Sequence, residues 1–265
     1  ADFVAAHPPQ GWSADVEREA HRTLLNWVGC AIGASHHATA EAALAAVKLL
    51  LHVATAANYG LFVDELYFLA CGEHLAWGYV DMPPLTAFQA WLTRALFGDS
   101  PYAIHLFPAL AGAGIVLLTG ALTRQLGGGR YAQGLAALVA LVAPSWLYIH
   151  SYLSMNSIEL LLVAGCALIL VRIIKTEDTR LWLGFGALAG LGMLNKHTML
   201  MFAFAFIMAL ALTAQRRLMF NLWFLAGGLC AAVVFLPNLV WMWQHHFPHL
   251  ELLANIEKDR RNVSL

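Results

Sequence analysis

Charge is what this chain has least of. Asp, Glu, Lys and Arg together make up 12% of its residues, hydrophobic types make up 60%, and the mean hydropathy is +0.65. A soluble domain of this length is far more polar, so the balance puts the chain in the membrane class. The net charge of −1 comes without a basic stripe, which argues against nucleic acid as a partner because nothing is there to neutralise a run of phosphates. Cysteine is scarce as well. Cys30, Cys71, Cys166 and Cys230 show no metal-type or redox spacing, which leaves packing as their reading. There is no internal repeat and no low-complexity tract. Gly127-Gly-Gly129 has no following Lys-Ser/Thr, so it reads as a turn and not a phosphate loop. The polar start, with Pro8-Pro9, lacks the basic n-region and apolar core of a secretory signal.

What the chain does have is long apolar runs. A helix needs roughly 20 apolar residues to cross a hydrocarbon core of ~30 Å. Stretches near 103–122, 131–149, 155–174 and 221–243 meet that length. Residues 181–214 read as two shorter spans broken at Asn195-Lys-His197, and 40–60 as an Ala-rich span whose Lys48 and His52 snorkel toward headgroups. The fold class is therefore all-α, a polytopic transmembrane helical bundle. Residues 1–39 form a polar, interfacial N-terminal segment, with 24–34 too short to span, and 40–265 form the transmembrane domain. Without an initiating Met, and with Leu265 following a charged run, the sequence is expected to be a C-terminally truncated piece.

Basic residues gather in alternate connections: Arg124 and Arg130, then Arg172, Lys175 and Arg180, then Arg216 and Arg217. The positive-inside rule assigns these to the cytoplasm. The 59–102 loop, the turn at 152–159, the break at 195–197 and the region after Trp243 then share the external face of a cell membrane, expected to be a bacterial inner membrane. A loop of that length is a functional signal. It carries Asp64-Glu65 directly after an apolar span, then two amphipathic stretches, 65–77 and 85–97, separated by Pro83-Pro84 and suited to the interface plane. Adjacent carboxylates at a helix start have a plain structural use, with Asp64 as N-cap and Glu65 favouring the positive helix end. They also suit a general base held at a bilayer surface.

Asp64-Glu65, Gly78-Tyr-Val-Asp-Met-Pro-Pro84, Ser154-Met-Asn-Ser-Ile-Glu159, Leu194-Asn-Lys-His-Thr198 and Pro237-Asn-Leu-Val-Trp241 stand in a recognisable order. Over roughly 45–265 the chain resembles glycosyltransferase family 39, the group of protein O-mannosyltransferases and the lipid A aminoarabinose transferase. The resemblance implies a GT-C fold with interfacial helices in its external loop. It also implies transfer of a sugar from a polyprenyl-phosphate donor to a lipid, glycan or protein acceptor on the outer face, with inversion. Asp64 matches the family's catalytic aspartate and is the expected base. Glu65 supports it or helps bind the acceptor or a divalent cation; no metal site is assigned.

For the substrate and donor phosphate the expected residues are Asp81, Asn156, Glu159, Lys196 and His197, with Lys258, Arg260 and Arg261 as a second basic cluster. Many relatives carry aspartate where Asn156 stands. Glu159 lies inside a span, where an ionised side chain needs a partner or a cavity. His245-His246-Phe-Pro-His249 with Glu251 resembles a list of metal ligands, but Pro248 spoils the helical spacing and an interfacial histidine and aromatic belt fits better. His105 reads as interfacial, and Tyr67, Trp77 and Tyr79 as rings able to stack on a sugar. The competing classes are a lipid or solute transporter or flippase, and a non-catalytic membrane subunit. Against the first stand the missing inverted repeat and the position of the acids in a loop.

Overall fold

In the computed structural model, residues 40–263 are described together with Asp15, Arg18, Glu19 and Arg22, apart from the side chains of 253 and 259–263. The expected interfacial segment 24–34 lies outside the described residues. Among the described residues all regular structure is helical. The α-helices are α1 Ala40–Thr55, α2 Val63–Glu73, α3 Leu85–Phe97, α4 Pro101–Ile104, α5 Leu106–Gln125, α6 Arg130–Val142, α7 Pro144–Ile149, α8 Met155–Thr176, α9 Trp182–Asn195, α10 Met199–Ala211, α11 Leu222–Gln244 and α12 Pro248–Val263. Three stretches are long and apolar enough to cross a membrane: Pro101–Gln125, Met155–Thr176 and Leu222–Gln244. At 1.5 Å per residue, α8 is about 33 Å long, the thickness of a hydrocarbon core.

The expected single span over 131–149 is two helices, because Pro144 interrupts it. Proline has no N–H, so the carbonyl of Ala140, four residues earlier, loses its helical donor. Lys48 supplies the replacement: its Nζ lies 3.0 Å from the Ala140 carbonyl and 3.5 Å from that of Leu141. Lys48 is fully buried. It therefore does not snorkel; its charge is spent on the open C-terminal end of α6, where a cation is favoured.

Small residues set the helix spacing. Gly186 and Gly190 on α9 face Gly227 and Ala231 on α11 so closely that a Cβ on Gly186 would sit 1.9 Å from the Gly227 carbonyl oxygen. Such stripes let helices approach where lipid supplies no hydrophobic drive for association. Trp182 closes the far end of this pair, with its indole N–H on the Leu218 carbonyl at 2.9 Å and Phe185 and Phe224 edge-on. Apart from Gly227 and Asn238, α11 is not buried.

The external loop is mostly helix. α3 turns Thr86, Ala87, Gln89, Ala90 and Thr93 inward, and Phe88, Trp91, Leu96 and Phe97 outward. Its bulky apolar face thus points away from the protein, as an interfacial helix requires. Gly72 of α2 lies against the Ala87 carbonyl and the Trp91 N–H of α3. The α1–α2, α7–α8 and α9–α10 connections and the C-terminal part of α11 meet at one end of the bundle. They are joined there through Leu153 to Glu65, Asn195 to Met155 and Asn238 to Trp77. At the other end Arg217 pairs with Glu177.

Candidate active site

Glu65 and Asp64 are neighbours in sequence with opposite surroundings. α2 begins at Val63 after an extended Phe62, so Asp64 is the second helical residue and not the N-cap, and Glu65 is the third. The third position is where an acidic side chain can reach back to the N-cap N–H. Glu65 Oε2 does so, accepting from Phe62 at 2.7 Å, while Oε1 accepts from the Leu153 N–H at 2.6 Å. His105 Nε2 comes within 3.0 Å of Oε1, without hydrogen-bond alignment. The other ring nitrogen, Nδ1, donates to the Ala56 carbonyl at 3.0 Å. Glu65 is wholly buried, and this clamp ties the end of α1, the start of α2, the start of α5 and the α7–α8 turn to one carboxylate.

Asp64 is exposed and makes no hydrogen bond or ion pair with a described residue. Residues three apart share a helix side, which sets Tyr67 on the Asp64 side of α2. The Tyr67 hydroxyl donates to Asp81 Oδ1 at 2.6 Å, so Asp81 is drawn to this side from the loop before α3. Burial first, and the bond to Asp81 second, raise the Tyr67 phenol above its ordinary value and keep it a neutral donor.

A second group forms where α8 starts and α9 ends. Lys196 Nζ donates to Asn156 Oδ1 at 2.8 Å and lies 3.3 Å from Glu159 Oε2, while the Thr198 hydroxyl donates to Glu159 Oε1. Glu159, mostly buried, has the partner that its depth demands. Lys196 keeps about a third of its side chain exposed. His197 Nε2 faces Asn238 Oδ1 at 3.3 Å, and the Asn238 amide donates to the Trp77 carbonyl at 2.7 Å. His249 completes the link: its ring lies 5.1 Å from that of His197, and its Nδ1 is 3.2 Å from the Val80 carbonyl. Burial lowers the His197 pKa below the ordinary histidine value, and His249 lowers it further against the Asn238 bond.

The loop between α2 and α3 can lie this close to α11 because Gly78 has no side chain; a Cβ there would meet the Trp241 ring at 2.3 Å. The loop that carries Asp81 is thereby held, through Asn238 and His249, against His197, the neighbour of Lys196. Beside it an apolar groove of about 440 Å³ is lined by Leu75, Trp77, Leu85, Phe88 and Leu194, among others. The Tyr79 hydroxyl donates to the Cys71 carbonyl at 2.9 Å and accepts from the Ala76 N–H at 3.2 Å, which fixes its ring in the loop.

Of the residues expected from sequence, Asn156, Glu159, Lys196 and His197 come together, and Asp64 and Asp81 flank one face of α2. Lys258 is exposed on α12, with no contact to that group. Arg260 and Arg261 lie outside the described side chains. Among the described residues no three His, Cys, Asp or Glu side chains are arranged to hold a metal ion. His245 instead stacks on Trp241 with ring centroids 4.1 Å apart. Sequence reasoning missed His105, which is buried and not interfacial, together with Thr198 and Asn238. Asn238 had a signal, standing next to Pro237 in a span otherwise free of polar side chains up to Trp241.

Neither the curated proteins nor the solved structures contain a match to this chain. The family model for dolichyl-phosphate-mannose-protein mannosyltransferases matches residues 81–241, more than half of the sequence.

Proposed function

Because the chain belongs to the dolichyl-phosphate-mannose-protein mannosyltransferase family, it is a membrane glycosyltransferase of the kind that draws on polyprenyl-phosphate sugars, and we propose that Asp64 is its general base in a single inverting displacement. Asp64 takes the proton of an acceptor hydroxyl as that oxygen attacks the anomeric carbon. The bond from that carbon to the donor's phosphate oxygen breaks, and polyprenyl phosphate leaves with the electron pair. Lys196, held by Asn156 and Glu159, takes the phosphate as a point charge and stabilises the departing anion. His197 and Asp81 border the sugar between them. The apolar groove along Trp77, Phe88 and Leu194 receives the first isoprene units, since Leu194 is two residues from Lys196.

Glu65 acts on Asp64 by position. With both oxygens engaged inside the protein, it fixes the first turn of α2. The observation that carries the reading is the contrast between adjacent acids at the end of the bundle that also carries the Lys196 group: Glu65 is buried with both oxygens engaged, whereas Asp64 is exposed and has no partner among the described residues. The alternating basic connections support an outer-face position for that end. The test is release of polyprenyl phosphate from labelled polyprenyl-phosphate sugars by membranes carrying wild type, Asp64→Asn or Lys196→Ala. Turnover is expected to fall by about 10²–10⁴ in the first, and the donor KM to rise about tenfold or more in the second. Turnover that survives Asp64→Asn removes Asp64 as the base.

A further inference from the structure

A second cavity, of about 530 Å³, opens on the other side of Glu65, between the end of α1, the start of α2 and the α7–α8 turn. It shares no lining residue with the apolar groove beside Lys196. Its floor is polar and deeply buried: Glu65, His105 and His52 are 0%, 4% and 5% exposed. Glu65 has its backbone partners, but among the described residues His52 Nε2 has no hydrogen-bond partner and His105 Nε2 has no aligned one. A buried polar atom without a partner costs free energy, so this floor lacks a group that both donates and accepts. A hydroxyl does both.

The walls are aromatic and apolar. Phe62, Tyr152 and Tyr148 form a continuous shelf, with successive ring centroids 5.8 and 5.1 Å apart, and Leu51 and Leu147 extend it toward the lipid side. Among the described residues no Lys or Arg lines the cavity, and the nearby Lys48 is committed to the Ala140 carbonyl. The described lining therefore offers a phosphate no counter-charge, unlike the site at Lys196. Concave sites with aromatic walls and a few convergent polar groups take ligands that are part apolar ring and part hydrogen-bonding edge.

We infer that this cavity holds the neutral, hydroxyl-rich ring of an amphipathic acceptor, the glycosyl headgroup of a glycolipid, with its tail leaving past Leu51 and Leu147. The inference rests on the proposed role of Asp64, which lies in sequence between the lining residues Phe62 and Glu65; on that reading the acceptor hydroxyl meets Asp64 at the cavity mouth. The acceptor then approaches from the α1–α7 side and the donor from the α3–α9 side, so that neither blocks the other.

The test uses the full chain in phosphatidylcholine nanodiscs and two photoprobes with identical diazirine-bearing octyl tails, one with a glucoside head and one with a phosphocholine head. The glucoside probe is expected to label residues 59–62 and 148–152 about tenfold more than the phosphocholine probe, and unlabelled octyl glucoside should displace it. Labelling should fall about fivefold or more in His52→Leu and also in Tyr148→Ala, a change on the exposed rim that leaves the floor intact. Equal labelling by both heads shows a plain lipid-facing recess and overturns the inference, as does labelling confined to residues 75–88. Asp64→Asn separates the two readings. Unchanged labelling without loss of turnover defeats only the catalytic role, whereas normal Asp64-dependent turnover without head-selective labelling defeats only the cavity assignment.

Discussion

Exchanging each of two adjacent acids for its amide should produce opposite phenotypes. In Glu65→Gln the amide keeps the shape but has one carbonyl oxygen where the native carboxylate offers two. The Phe62 and Leu153 N–H groups both need an acceptor, at 2.7 and 2.6 Å, so the new NH2 group is set against one of them, donor against donor. His105 Nε2 also loses the carboxylate oxygen that lies 3.0 Å from it. Breaking a buried pair in this way costs about 3–5 kcal/mol. For a chain of this size that corresponds to a fall in Tm on the order of 10 °C. In Asp64→Asn no contact is lost, and only the favourable charge at the first turn of α2 goes, about 0.3–1 kcal/mol. Turnover should nonetheless drop by about 10²–10⁴, the usual contribution of a general base. Thermal unfolding in nanodiscs and polyprenyl phosphate release, run on the same preparations, read both quantities. If Glu65→Gln melts like wild type yet is as inactive as Asp64→Asn, the clamp reasoning is wrong and Glu65 belongs to the chemistry.

Three further predictions probe the scaffold. Gly186→Ala should destabilise the protein by about 1–3 kcal/mol or more, because its Cβ meets backbone and not a movable side chain. Gly228→Ala, with nothing within 4 Å of a new Cβ, should leave the Tm unchanged in the same assay. Lys48→Met should cost about 1–3 kcal/mol by orphaning the Ala140 carbonyl beside Pro144, seen as a lower Tm with the helix content by circular dichroism retained. The lowered pKa of His197 means that the folded protein binds fewer protons there than the unfolded chain. Stability is therefore full above the ordinary histidine value of about 6.5 and is lost as the pH falls below it. His197→Gln should flatten that part of the Tm against pH profile.

The spans and their ends were readable in the sequence because hydropathy and chain breakers act locally. α3 covers the expected 85–97, α8 and α11 begin and end within two residues of expectation, and the break at 195–197 separates α9 from α10. The break at Pro144 was missed because an apolar run on both sides masked a proline that a distant lysine makes tolerable. The Lys196 group was legible as an interruption of apolar sequence. The Glu65 clamp was not, since its partners Leu153 and His105 come from distant segments, with Leu153 lying 88 residues away.

By itself the sequence determined that this chain is a helical bundle made for a bilayer, with basic connections at one end and acidic or polar ones at the other. Those properties follow from transfer free energies and charge, which each segment carries alone. Only the tertiary structure decided which of two adjacent acids is buried. Consecutive helical residues point about 100° apart, so Asp64 and Glu65 had to face different surroundings. Which of them met His105 and the Leu153 N–H, and which was left free, depended on how α1, α5 and the α7–α8 turn packed around the start of α2.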